Sequence, residues 1–242
     1  MPKDISNSWL SRTTISAALS WLMKLILAGL FFYSAYKWDY LLAAAAIIAI
    51  LLSLLPSLLG RNYNATLPWE LDFLITLALF LHTFFGEWLR YYDRLWFFDK
   101  IMHLYGTSLI AILAFMIVYT FHATGKLRLT LPFIGLFTVA FAMAVGGLWE
   151  IGEFAFDKTF GRNTQYSLDN TMWDMVNNLI GGTLVAFIGM LYVRYSRPDE
   201  RKRITKTVGE VFNIRNSRKR RSRKPYLSSS RSSGFSGPQT GQ

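Results

Sequence analysis

Three carboxylates, Glu150, Glu153 and Asp157, stand three and four residues apart in the stretch LWEIGEFAFD. On a helix that spacing stacks them along one face. The stretch closes a long apolar run, and a charge left alone at membrane depth costs several kcal/mol. Such carboxylates need partners on neighbouring segments, a water-filled pocket or a metal ion.

Partners of suitable chemistry lie elsewhere in the chain. FDKIMHLYGTS sets Asp99 and His103 four apart, on the face shared by Gly106 and Thr107. NTMWDMVNNLIGG sets Asp174 and Asn178 four apart, leading to Gly181 and Gly182. His82 and Glu87 sit on a further apolar segment. Two chemistries suit this set. A divalent cation could be held by His103, Glu150, Glu153 and Asp174; oxygen-rich ligation favours Mg²⁺, Mn²⁺ or Ca²⁺, and the histidine keeps Zn²⁺ and Fe²⁺ open. Crowded carboxylates beside an imidazole also share protons, which makes Glu150, Glu153 and His103 candidates for general acid/base catalysis.

Plainer roles compete. Asp99 and Asp174 each fit a capping role in a first helical turn, and Glu87 fits a pair with Arg90 or Arg94. Asp157 fits the headgroup level, and Gly146–Gly147 and Gly181–Gly182 fit close helix packing. The aromatic residues around Trp88–Phe98 read as an interfacial belt. A buried polar network that only fixes helix packing also accommodates Glu150, Glu153 and His103.

The elements that must position these groups are membrane spans. Of the 242 residues, 52% are hydrophobic and mean hydropathy is positive, which excludes an ordinary soluble domain. Six apolar segments are long enough to cross a ~30 Å hydrocarbon core: 15–36, 40–59, 71–91, 100–121, 131–156 and 171–195. The expected fold is all-α, a polytopic bundle of six transmembrane helices over residues 15–195. A short cytoplasmic segment, 1–14, precedes it. Residues 196–242, basic and then rich in Ser and Gly, read as a disordered tail. The chain has no cysteine, so disulfides and thiolate metal sites are excluded.

Net charge locates the inside. Fourteen of the 26 Lys and Arg residues, but three of the 15 acidic ones, lie at or beyond Arg194, and the preceding chain balances at twelve of each. By the positive-inside rule both termini are expected in the cytoplasm. Under that topology four helices bring their ionisable and amide groups to the outer leaflet, and the inner leaflet offers little beyond His122 and Asp72. Lys24, inside the first segment, must snorkel or face a neighbouring helix. The run Arg218, Lys219, Arg220, Arg221, Arg223 and Lys224 suits contact with anionic lipid headgroups. No fold or aromatic platform supports a specific nucleic-acid partner.

The motifs FDKIMH, GGLWEIGEF and NTQ…LDNTMWDMVNNLIGG resemble the YjdF-type inner-membrane proteins, a family carried as a domain of unknown function. Their Asp-x-x-x-His, Glu, Asp-x-x-x-Asn layout is similar to that of VanZ-like proteins. The resemblance covers about residues 69–193. It implies a multi-span protein of a bacterial or archaeal cell membrane with the motif residues gathered together, and it adds Gln165 and Asp169 to the supporting network of Asp99, Asp174 and Asn178. It implies no reaction. Three function classes follow: an enzyme acting on a lipid or envelope substrate, a proton- or cation-coupled transporter, and a non-catalytic scaffold.

Overall fold

A computed structural model describes residues 4–63 and 69–211. The described residues are helical and form α1 (Asp4–Tyr36), α2 (Tyr40–Tyr63), α3 (Trp69–Phe80, continued by a π-helical segment Leu81–Trp88), a single turn α4 (Tyr91–Arg94), α5 (Phe98–Ala123), α6 (Leu131–Phe160), α7 (Leu168–Tyr195) and α8 (Pro198–Val211). Among the described residues five helices are long and apolar enough to cross a membrane: Ile15–Tyr36, Glu70–Trp88, Phe98–Ala123, Leu131–Phe160 and Leu168–Tyr195. In α2 the apolar run is shorter, Tyr40–Pro56, against the expected span 40–59.

Helix ends follow local chemistry. Thr130 caps α6 by accepting from the Phe133 N–H at 3.4 Å, with Pro132 in the first turn where a missing N–H costs nothing. Gly161 ends the same helix in the left-handed region, φ 64°, and its N–H returns to Asp157 O. Ser167 caps α7 through the Asn170 N–H at 3.1 Å. The caps are therefore Thr130 and Ser167. Asp99 lies within the first turn of α5 and caps nothing, and Asp174 lies six residues inside α7.

Two groups of helices make the bundle: α1, α2 and α3 pack together, α5, α6 and α7 pack together, and α3 touches α5. In the second group α5 and α7 run parallel, with His103 beside Asn178 and Phe115 beside Gly189, and α6 runs antiparallel, with Gly146 beside Asn178 and Gly135 beside Met190. Small residues permit the approach, as helix packing in lipid requires. A Cβ on Gly181 would stand 2.7 Å from the Leu104 carbonyl oxygen, so α5 and α7 touch backbone to side there. Large apolar side chains such as Trp21, Phe32, Leu148, Ile151 and Ile188 face outward, while many buried side chains are polar.

Two features depart from the sequence reading, and the partners of Lys24 and Asp157 add to it. The third span ends at Trp88, short of Tyr91, because its last turns widen: the Leu89 N–H bonds Phe84 O, five residues back, and Arg90 then turns left-handed at φ 59°. The region beyond residue 195, expected to be disordered throughout, contains α8. Asp199 and Glu200 fill its first turn, Glu200 accepts from the Arg197 N–H, Val208 is buried, and the helix packs on α5 and α2. Lys24 takes the second of its two expected roles and faces a neighbouring helix. Its Nζ lies 3.2 Å from Asp72 Oδ1, and Ser20 donates to Asp72 Oδ2 at 2.7 Å and to Thr76 at 3.2 Å. The end of the bundle expected to be nearly apolar thus holds a buried ion pair. Asp157, finally, anchors the α6–α7 loop, accepting from Thr164 N and Oγ1 and from Gln165 N.

Candidate functional site

The site lies where α5 and α7 begin and α6 ends, within about 15 Å along the helices from their termini at 1.5 Å per residue. Asp99, His103, Glu150, Asp174 and Asn178 come together there, all buried. The spacing of four on α5 and on α7 turns each pair inward, and α6 contributes Glu150 between them.

His103 is the hub. Its Nδ1 donates to Asn178 Oδ1 at 3.3 Å, and the Thr107 hydroxyl donates to the same oxygen at 2.5 Å. Asn178 is 0% exposed and fills the space left by Gly146, where a Cβ would press on its Nδ2 at 2.5 Å. With a proton fixed on Nδ1, the other nitrogen, Nε2, faces two carboxylates. It lies 3.5 Å from Asp99 Oδ1 and 3.5 Å from Glu150 Oε1. Glu150 is 5% exposed; its oxygens make no close hydrogen bond, and the polar side chains beside its carboxyl are His103 and Thr171.

Around the start of α7 a second layer holds the aspartates. Asn170 Nδ2 donates to Asp99 Oδ2 at 2.9 Å and to Asp174 Oδ2 at 2.7 Å. Lys100 Nζ donates to Asn170 Oδ1 and lies 3.4 Å from Asp99 Oδ2 and 3.3 Å from Asp174 Oδ1. One ammonium and one amide therefore span both aspartates. Asp99, His103 and Asp174 offer ligand atoms that all lie within 4.8 Å of one another, the grouping able to hold a metal ion.

Other candidates sit differently. Glu153 turns to its own helix, where Oε1 accepts from Trp149 Nε1 at 2.9 Å. Gln165 donates to the backbone carbonyl of Glu150 at 3.1 Å and so steadies that turn of α6 without entering the cluster. Asp169 is exposed in the first turn of α7. Arg90, expected near Glu87, pairs with Asp93 at 2.7 Å. Arg218, Lys219, Arg220, Arg221, Arg223 and Lys224 lie outside the described residues.

Lys100 and Asn170 escaped the sequence reading, although Asn170, Asp174 and Asn178 form a single four-residue ladder that would have exposed Asn170. A second wall also went unseen. His82, on the π-helical segment, shares a hydrogen bond between Nδ1 and the Tyr92 hydroxyl (2.6 Å), and its ring meets Trp149 edge-on at 5.5 Å. The Tyr92 ring uses the room at Gly86. Burial first, and then the nearby carboxylates of Asp99, Glu87 and Glu153, hold the Tyr92 hydroxyl well above its ordinary pKa, so it keeps its proton.

No solved structure matches the chain. A protein of Thermotoga maritima described as "Uncharacterized protein" is 36% identical over 131 residues, which is 52% of this chain and 65% of that relative's length. The model of the family described as "Predicted membrane protein (DUF2238)" matches residues 18–195, a stretch that takes in α1 and α2 as well as the four later spans that carry the polar motifs. With a match over most of its length and five helices fit to cross a membrane, the chain is a multi-pass membrane protein and belongs to that family.

Proposed function

We propose that the protein is a membrane enzyme whose reaction takes place at the Asp99, His103, Glu150 and Asp174 cluster, on a lipid-linked or other envelope substrate that reaches it from the outer face of a bacterial or archaeal cell membrane. The observation that carries this reading is Glu150. A buried acceptor without a donor costs about 1–3 kcal/mol, and a network kept only for packing would have satisfied it. Here neither oxygen has a close donor, with only the Thr171 side chain and His103 beside them. Such an arrangement suits a site that completes itself on a ligand. The set Asp99-x-x-x-His103, Glu150 and Asp174-x-x-x-Asn178, which resembles the layout of YjdF-type and VanZ-like proteins, supports the same centre.

The placement on the outer face rests on Arg194, Arg197, Arg201, Lys202, Arg203 and Lys206, which follow the last span and by the positive-inside rule belong in the cytoplasm. The basic run beyond them suits anionic lipid headgroups. The course of α2 supports a sixth span. α1 and α3 run parallel, Ser20 beside Thr76 and Tyr33 beside Trp88, so α2 must return the chain across the same width.

The test is a deletion strain of the source organism, its membrane lipids and envelope polymers compared with those of the wild type and of strains carrying Glu150→Gln or His103→Asn. Accumulation of one precursor in the deletion strain and in both variant strains is expected; an unchanged profile in the deletion strain rejects the reading. Variants that stay folded and fail to restore the profile exclude the scaffold. A second reading, a proton- or cation-coupled transporter, is favoured by the Lys24–Asp72 pair, which puts charged groups in the opposite half of the bundle. Ion flux in proteoliposomes that Glu150→Gln abolishes would displace the enzyme reading.

A further inference from the structure

We propose that Asp99, His103, Glu150 and Asp174 form a binding site for one divalent cation, an inference that rests on the cluster being the reacting centre. Four independent features converge on it. The first is spacing. Ligands about 2.1 Å from a tetrahedral ion stand about 3.4 Å apart, and His103 Nε2 lies 3.5 Å from both Asp99 Oδ1 and Glu150 Oε1. Asp174 adds an oxygen within the 4.8 Å group.

The second is the imidazole. Asn178 Oδ1 can only accept, which places a proton on Nδ1 and turns Nε2 toward the carboxylates. The approach of Nε2 to two carboxylate oxygens requires a proton or a metal ion between them. A histidine whose far nitrogen is held by an amide or carbonyl is the usual arrangement of a metal ligand. The third is the set of oxygens left over. Both oxygens of Glu150, which is 5% exposed, are buried without a close hydrogen bond, and Oδ1 of Asp174 has only the Lys100 ammonium, 3.3 Å away.

The fourth is charge. Three carboxyl groups face one ammonium, Lys100, so with all three ionised two negative charges remain in a buried site between helices. One divalent cation beside a neutral imidazole cancels them. The supporting contacts are already in place: Lys100 and Asn170 bind the outer oxygen of Asp99, and Asn170 binds Oδ2 of Asp174; Oδ1 of Asp99 faces the centre, and an ion would share Oδ1 of Asp174 with Lys100. Glu153, committed to Trp149, is not a ligand. A set of one nitrogen and several oxygens suits Mn²⁺, Fe²⁺ or Zn²⁺.

The experiment uses the full chain purified in detergent, stripped with a chelator, and dialysed to equilibrium against Mn²⁺ alone or Zn²⁺ alone, with bound metal counted by mass spectrometry. About one ion per chain is expected. Binding should weaken at least about tenfold in Glu150→Gln and in His103→Asn and stay unchanged in Glu153→Gln, with the elution profile of each variant confirming a folded micelle. Bound Mn²⁺ should also show a nitrogen coupling by electron paramagnetic resonance that His103→Asn removes. If neither ion binds stoichiometrically, or Glu150→Gln binds as the wild type does, the inference is overturned. A lipid precursor accumulating in a strain whose protein binds no metal would sink the metal site and leave the enzyme. Metal bound in a protein whose deletion changes nothing would do the reverse.

Discussion

At the residue scale, Asn178 shows how an amide organises charged neighbours. It accepts from His103 and Thr107 and fits only because Gly146 has no side chain. Replacing it with Ala leaves a buried hydroxyl and a buried ring N–H without an acceptor, so Asn178→Ala should cost about 1–3 kcal/mol. Gly146→Ala should cost a similar amount by overpacking, about 1–3 kcal/mol. Thermal unfolding in detergent measures both, and a combined loss smaller than the separate losses would show that the two residues act on one space. Asp99, His103, Asp174 and Asn178 were legible in the sequence because a spacing of four on a helix points two side chains the same way. Glu153 was not. Three residues from Glu150, it is rotated about 60° around a helix of 3.6 residues per turn, and a nearby indole N–H decides where it turns. Lys100 was read as one more interfacial charge, since nothing in a sequence says that a lysine beside Asp99 reaches across to a different helix.

At the element scale, helix starts and stops were legible where Thr130, Pro132, Gly161 and Ser167 mark them, because capping is local chemistry. The π-helical segment was not, since its extra residue per turn comes from packing: it sets His82 against Tyr92 and Trp149. Between that segment and the α6–α7 loop lies a clasp. Tyr166 donates to Asp93 Oδ1 at 2.8 Å and Arg90 Nε donates to Oδ2 at 2.7 Å. Arg90 and Tyr166 both hold left-handed backbone, φ 59° and 55°, which persists only when surroundings impose it. The Tyr166 hydrogen bond, then the Arg90 bond and the charges of Arg90 and Arg94, hold the Asp93 carboxyl below its usual range. A depressed carboxylate stabilises the fold above its unfolded value, about 3.9, and loses that contribution as pH falls through the folded value. Asp93 is exposed, so the gain is under about 1 kcal/mol. Tyr166→Phe should therefore lower stability at pH 7, and the difference from wild type should shrink below about pH 4. A difference that is the same at pH 7 and pH 3 would show that the hydroxyl acts on something other than the Asp93 charge.

At the scale of the whole molecule, apolar surface faces out and charge is held inside in two separate places, Lys24–Asp72 between α1 and α3 and the Asp99–Glu150 cluster among α5, α6 and α7. Each place is closed by helices from its own half of the bundle, so neither half depends on the other for charge balance. Which face of the membrane the second cluster meets decides what it can act on, and the charge pattern of the body alone is evenly split. The chain has no cysteine, so a single introduced thiol reports its own side without background. Arg94 and Arg162 are exposed at the end of the bundle nearest the cluster, and Lys126 and Arg197 at the opposite end. In intact cells an impermeant thiol reagent should label Arg94→Cys and Arg162→Cys, and should reach Lys126→Cys and Arg197→Cys only after lysis. The reverse pattern would turn the cluster toward the cytoplasm, and an envelope substrate would then have to give way to one supplied from inside the cell. Labelling of both ends in intact cells would mean that the chain is present in both orientations, and the basic residues that follow α7 would then not be setting its topology.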